Sequence, residues 1–252
     1  MKATRRGGQP ERSVLIADAL SALLDDIEGY CEQDWVAVPA DPIPLSCGIT
    51  TLDRAFGGGV HIGTLTLIEA DLSAQARAVI LSIARHIDHP ALLAVASTKR
   101  ATEWLFAGAS GVPATLINDC LLDEGDWSRL SATASVLGSR PLNLTESASV
   151  TALGHLIVDS GAPILLVEEL SRLGPPCETL AALVRLAAVV GVAVVATSEP
   201  LGDLPSWATE SVNRVTMVAH GLGARAALIS GAAFGDFVVE QIRVDCLEGA
   251  IR

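Results

Sequence analysis

Residues 63–78 read GTLTLIEADLSAQARA. Leu65, Leu67 and Ile68 form an apolar run that ends in Glu69 and Ala70, small and polar residues follow, and an amphipathic run then continues to about residue 88. The pattern predicts a strand, a tight loop and a helix, the arrangement in which nucleotide-binding proteins cradle phosphate. Cradling calls for Gly-x-x-x-x-Gly-Lys-Ser/Thr. Here Ala70, Gln75, Ala76 and Arg77 stand at those positions. The architecture and the chemistry of this stretch therefore point in opposite directions.

Working outward, three more apolar runs have the character of strands covered on both faces: 91–97 (ALLAVAS), 163–170 (PILLVEEL) and 192–198 (VAVVATS). Helical spacing is expected at 101–109, 127–137, 150–159 and 178–190, with the short PLNLTES segment between the second and third. From 212 the pattern changes to alternating strands (VNRVTMV, ARAALIS, DFVVEQIRV), with glycine turns between them. Strands alternating with helices imply right-handed crossovers and a parallel sheet covered by helices, which the C-terminal hairpins extend at one edge. The expected fold class is α/β, RecA-like: a mostly parallel sheet flanked by helices, with C-terminal β-hairpins.

Upstream, residues 1–10 are expected to be a disordered tail. Residues 11–44 are expected to hold an amphipathic helix and a linker containing Pro39, Pro42 and Pro44. The helix carries its apolar stripe on Leu15, Ala19, Leu20, Leu23, Leu24 and Ile27, with Asp18, Asp25, Asp26 and Glu28 opposite. Such a stripe needs cover from the body of the chain or from a neighbour. The main domain is expected over 45–252.

The chain has 252 residues, half of them hydrophobic, and a net charge of −12. That charge argues against a broad basic surface for nucleic acid. DNA is a possible but weak partner, and Arg5 and Arg6 are expected to belong to a solvated, disordered tail. Five scattered cysteines without a Cys-x-x-Cys pair suit reduced, mostly buried thiols. With no apolar run of spanning length, a cytoplasmic protein without membrane contact is expected.

The tracts 47–70, 121–153, 163–173 and 178–200, in this order and spacing, resemble the C-terminal motor domain of DnaB-type replicative helicases, within the RecA-like P-loop ATPases. The resemblance implies ATP and magnesium, a role in DNA replication, recombination or repair, and a linker helix that docks on an adjacent ring subunit. It also places the departures. Ala76 stands where the family has the phosphate-binding lysine, and Arg77 where a hydroxyl binds Mg²⁺. Lys99 takes the place of the glutamate that orients water. Glu168 keeps the Walker B carboxylate with one extra methylene. The sensor glutamine falls on Ser198 or Glu199, and the stretch SGAAFGD lacks the lysine and arginine that reach a neighbour's nucleotide.

These losses lead to the expectation of a degenerate member of the family, with no cofactor and no catalytic residue. It would serve as a structural or interaction module that binds a protein partner or its own copies through the N-terminal helix. The alternative is an active ATP-dependent DNA helicase or ATPase in which Arg77 substitutes for the lysine. Lys99 and Glu168 are expected to form an ion pair that fills the nucleotide pocket; Arg77 is a second candidate for that carboxylate. Glu168 with Glu169, or His86 with His89, suggest metal ligands less readily than strand-end polarity and capping of a helix end. Ser198 with His155 or His220 lacks a nucleophile elbow. Trp104, Trp127 and Trp207 are read as core anchors.

Overall fold

The computed structural model describes residues 43–252 except 71–72, 203, 206, 209–211, 221–223, 231–236, 243, 246–249 and 252. The stripe from Leu15 to Ile27 lies outside the described residues.

The sheet is built from runs that have no polar face to offer. β3 (Leu65–Ala70), β4 (Ala91–Ala94), β6 (Ile164–Val167) and β7 (Ala193–Ser198) are buried at every position. Alternate residues feed two separate cores. Ile68, Leu93, Ile164, Leu166 and Val195 pack on one side, and Leu65, Leu67, Leu92, Leu165, Val167 and Val194 on the other. Period-2 alternation with apolar residues on both sides is the signature of a strand covered by helices twice over. β5 (Leu142–Thr145) alternates partly buried and exposed positions, as suits an edge.

The eight strands lie in the order β10-β9-β8-β3-β7-β6-β4-β5. β8 (Val212–His220) pairs parallel with β3, and β3, β7, β6, β4 and β5 continue in parallel. β9 (Ala224–Ser230) and β10 (Phe237–Ile242) then add antiparallel strands at the β8 side. The mostly parallel α/β sheet with its hairpin extension is the architecture expected from the sequence.

Local signals shift the boundaries. Among the described residues, regular structure starts inside the proline segment, where Pro44–Leu45 (β1) pairs antiparallel with Val60–His61 (β2). The run expected as a strand over 91–97 leaves the sheet after Ala94, and the next helix is Thr98–Ser110, three residues earlier than its apolar spacing suggests. Ser97 caps it, its hydroxyl accepting from the Arg100 amide. The helix expected from 127 starts at Glu124, where Asp123 and Asp126 form a capping box. The helix expected from 178 starts at Pro176, whose missing N–H costs nothing at a first position. The strand expected to run to 170 stops at Val167, so Glu168 and Glu169 sit beyond its C-terminal end, before a 3-10 turn at Leu170–Leu173.

Two expectations meet exceptions among the described residues. Trp127 is 62% exposed and anchors nothing, whereas Trp104 and Trp207 pack partly buried against the two cores. Of the described cysteines only Cys47 is buried, and burial pushes its thiol up; Cys120 and Cys177 are exposed, and all three are free.

Candidate functional site

β3, β6 and β7 all end at one edge of the sheet, and the helix Ser73–His86 rises from the loop after β3. The C-terminal ends of parallel strands are where such sheets form their clefts. Ala70, the last residue of β3, is fully buried, and Ala76 packs into the core. The Gln75 side chain and residues 71–72 lie outside the described set.

Arg77, on the helix after the loop, reaches across the sheet edge. Its Nε donates to Glu168 Oε1 at 2.5 Å. Its guanidinium also lies over the Trp104 ring, 4.6 Å from the centroid, a cation–π contact made by the helix Thr98–Ser110. Glu168 is 4% exposed. Its second carboxylate oxygen accepts from the Ala96 amide at 2.9 Å, and its own amide donates to the Ala94 carbonyl. The Thr197 hydroxyl, from β7, donates to its carbonyl. Every polar handle of Glu168 is thus engaged by a neighbouring strand or helix.

The expected Lys99–Glu168 pair does not form. Lys99 is the second residue of the helix Thr98–Ser110, and its side chain is 87% exposed, with Glu103 one turn on at 3.9 Å. Arg77 takes the carboxylate instead, because the start of its helix faces the end of β6. The helix bearing Lys99 holds Trp104 over that guanidinium, while its first residue, Thr98, donates through amide and hydroxyl to Glu146. Those bonds, amide first, hold the Glu146 carboxyl below its ordinary value. Ser198, the last residue of β7, is buried and donates to the Glu199 carbonyl, not to an imidazole. His155 lies exposed on the helix Val150–Ser160, and the His220 side chain lies outside the described set. Glu169 accepts from the Ser171 hydroxyl. The His86 ring Nδ1 lies 2.8 Å from the Ser82 carbonyl, one turn back in its own helix. No group of three or more potential metal ligands occurs among the described residues.

A second buried pair escaped the sequence reading. Glu69 is fully buried within β3, and Arg214 comes from β8. The guanidinium donates through Nε to Glu69 Oε2 and through Nη2 to Oε1 at 3.1 Å. Nη2 also donates to the Gly202 carbonyl at 3.0 Å, and the Leu201 amide donates to Glu69 Oε1 at 2.9 Å. This pair fastens the segment after β7 onto the sheet edge. The available signal was a single carboxylate in one apolar strand and a single guanidinium in another, since a charge in a doubly covered strand must find a partner.

No family model matches the chain, and no curated protein matches it. Among solved structures it is similar to that of a DnaB-like replicative helicase, described together with its interactions with primase. The identity is 16% and the TM-score 0.72, over 94% of this chain and 70% of that one. The likeness establishes the RecA-like fold. No helix among the described residues is long and apolar enough to cross a membrane.

Proposed function

We propose that this chain is a catalytically degenerate RecA-like protein that acts as a structural or interaction module in DNA replication, recombination or repair. The observation that carries the reading is the Arg77–Glu168 pair. Where a nucleotide site of this fold needs a hydroxyl and a carboxylate facing one magnesium ion, this chain supplies its own cation. A guanidinium bonded to Glu168 leaves that carboxylate no open face toward a metal, and a second positive charge beside it is repelled. Ala76 brings no charge for phosphate, and Lys99 projects into solvent. This residue set does not fit a magnesium nucleotide. Nor does Arg77 stand in for the missing lysine, because its guanidinium is committed to Glu168 and Trp104.

The scaffold around the site keeps both of its cores, which supports retention for shape. The apolar stripe Leu15, Ala19, Leu20, Leu23, Leu24 and Ile27 is assigned the contact with a protein partner or a second copy. DNA contacts are assigned a minor part, given the net charge of −12.

Thermal denaturation with and without millimolar Mg-ATP tests the reading. The expected result is no change. A binder held at about a hundred times its Kd gains about 2.7 kcal/mol, and a rise of several degrees would overturn the reading in favour of a nucleotide-binding chain, the premise of the active ATPase. Molecular mass in solution tests the docking stripe. A strict monomer that captures no protein from extract would remove it.

A further inference from the structure

The helix Pro176–Val190 packs on the sheet through Leu180, Leu183, Val184 and Ala187, all buried. Its opposite side is one straight line, because Glu178, Ala182, Arg185 and Val189 recur at helical spacing. The helix Val150–Ser160 lies beside it, close enough that a Cβ on Gly154 would come 3.1 Å from Leu186 Cδ1. Each helix joins two parallel strands of the same sheet, so the two run in the same direction. Val158, one turn past Gly154, therefore stands near the last turn of Pro176–Val190. Val158 is 61% exposed and Val189 72%, so two large aliphatics are open to water at one end of this layer. Pro175 and Pro176 are exposed at the other end.

The outer line is complementary to itself read backwards. A two-fold axis beside Ala182 sets two such helices antiparallel. Glu178 of each copy then faces Arg185 of the other, because the two lie almost evenly on either side of Ala182. Ala182 is small enough to let the backbones approach at the axis, and Val189 arrives over the Pro175 end of the second copy. Within one chain Glu178 and Arg185 are two turns, about 10 Å, apart along the helix, so the match exists only between copies. Charge also selects this face. The chain carries a net charge of −12, which opposes contact between copies almost anywhere. The two helices hold only Asp159, Glu178 and Arg185 as charged residues, apart from His155.

We propose that the outer line of the helix Pro176–Val190 is a two-fold docking face for a second copy of this chain. Two reciprocal Glu178–Arg185 pairs flank Ala182, and Val189 closes each end against the Pro175 turn. The face shares no residue with the N-terminal stripe and goes beyond the contact assigned to it.

The test is a charge swap on the full chain, read as the dimer Kd by sedimentation equilibrium. E178R and R185E are each expected to raise the Kd about tenfold, since each sets like charges opposite one another twice per dimer. The double variant E178R/R185E should return near the parent value. A second reading uses A182C, which is expected to give a disulfide-linked dimer on mild oxidation. The parent chain is the blank, because Cys120 and Cys177 are exposed. A monomeric parent, a double variant no tighter than the single ones, or no disulfide dimer from A182C beyond the blank would overturn the face. A Kd unchanged in both E178R and R185E would overturn it too, and would place the association on the stripe. Thermal melts check that the variants are folded. If R185E does not fold, E178R and A182C decide: an unchanged Kd in the first or no added dimer in the second overturns the face.

Discussion

Glu69 and Arg214 meet on a diagonal. β3 and β8 run parallel with Leu67 opposite Arg214 and Glu69 opposite Thr216, so the guanidinium reaches two positions along the neighbouring strand to grip the carboxylate. The two ends of this pair differ. Glu69 is wholly buried, whereas the Arg214 side chain is 27% exposed. Losing the arginine strands a buried charge, while losing the carboxylate leaves a guanidinium that can turn to water. R214A is therefore expected to cost about 3–5 kcal/mol, and E69Q, which keeps an acceptor for the Leu201 amide, about 1–3 kcal/mol. Urea unfolding of both variants checks the order. Equal losses would show that solvent access does not set the cost.

Part of this architecture was legible in the sequence. Strands buried on both faces announce themselves by composition, so β3, β4, β6 and β7 could be placed from apolar runs alone. The helix starts could not, because each depends on one local residue: Ser97, Asp123, Pro176. Glu168 was recognisable as a strand-end carboxylate, but its partner was not. Arg77 and Lys99 are both basic residues near it in the fold, and only the direction of their helices separates them. Trp127 was misread because aromatic character says nothing of which side of a helix faces water.

The Arg77–Trp104 contact should be measurable separately from the Arg77–Glu168 bond. W104L keeps apolar bulk over the guanidinium and removes the ring face. Its coupling to R77M in a double-mutant cycle is expected to be about 0.5–1 kcal/mol. R77K should lose most of that coupling while keeping a charge for Glu168, because ammonium lacks the flat stacking surface. A Trp104 fluorescence spectrum that does not respond to R77M would argue against the stacked geometry in solution.

Two glycines hold the N-terminal part of the domain by having no side chain. A Cβ at Gly59, where φ is +138°, would lie 2.0 Å from the Leu45 carbonyl oxygen; one at Gly48, φ +76°, would lie 2.2 Å from that of His86. Backbone cannot yield as a flexible side chain does. Gly191 has a similar φ of +73° but open space around it. G191A is expected to cost about 1–2 kcal/mol from the left-handed conformation alone. G59A and G48A should cost visibly more, because the β1–β2 pairing or the close approach to the helix end must also break. Thermal melts of the three alanine variants check the ranking, and a G59A no worse than G191A would contradict it.

His61 provides a pH dependence of definite sign. It lies on β2 at 6% exposure, and burial lowers its proton affinity below the usual histidine value. The folded protein therefore binds a proton less readily at this site than the unfolded chain does. Stability is unaffected above about pH 6.5, then falls as pH drops, because the unfolded state takes up the proton first. The slope approaches about 1.4 kcal/mol per pH unit until the folded-state imidazole itself titrates. The Glu146 carboxyl, held down chiefly by the Thr98 amide, acts lower on the scale. Its contribution is present above the ordinary carboxylate range and is lost only as pH falls beneath it. Between about pH 6.5 and 5, the loss is thus assigned to His61. Urea unfolding at several pH values should show this slope in the parent chain and a flatter one in H61L; parallel profiles would place the titrating group elsewhere.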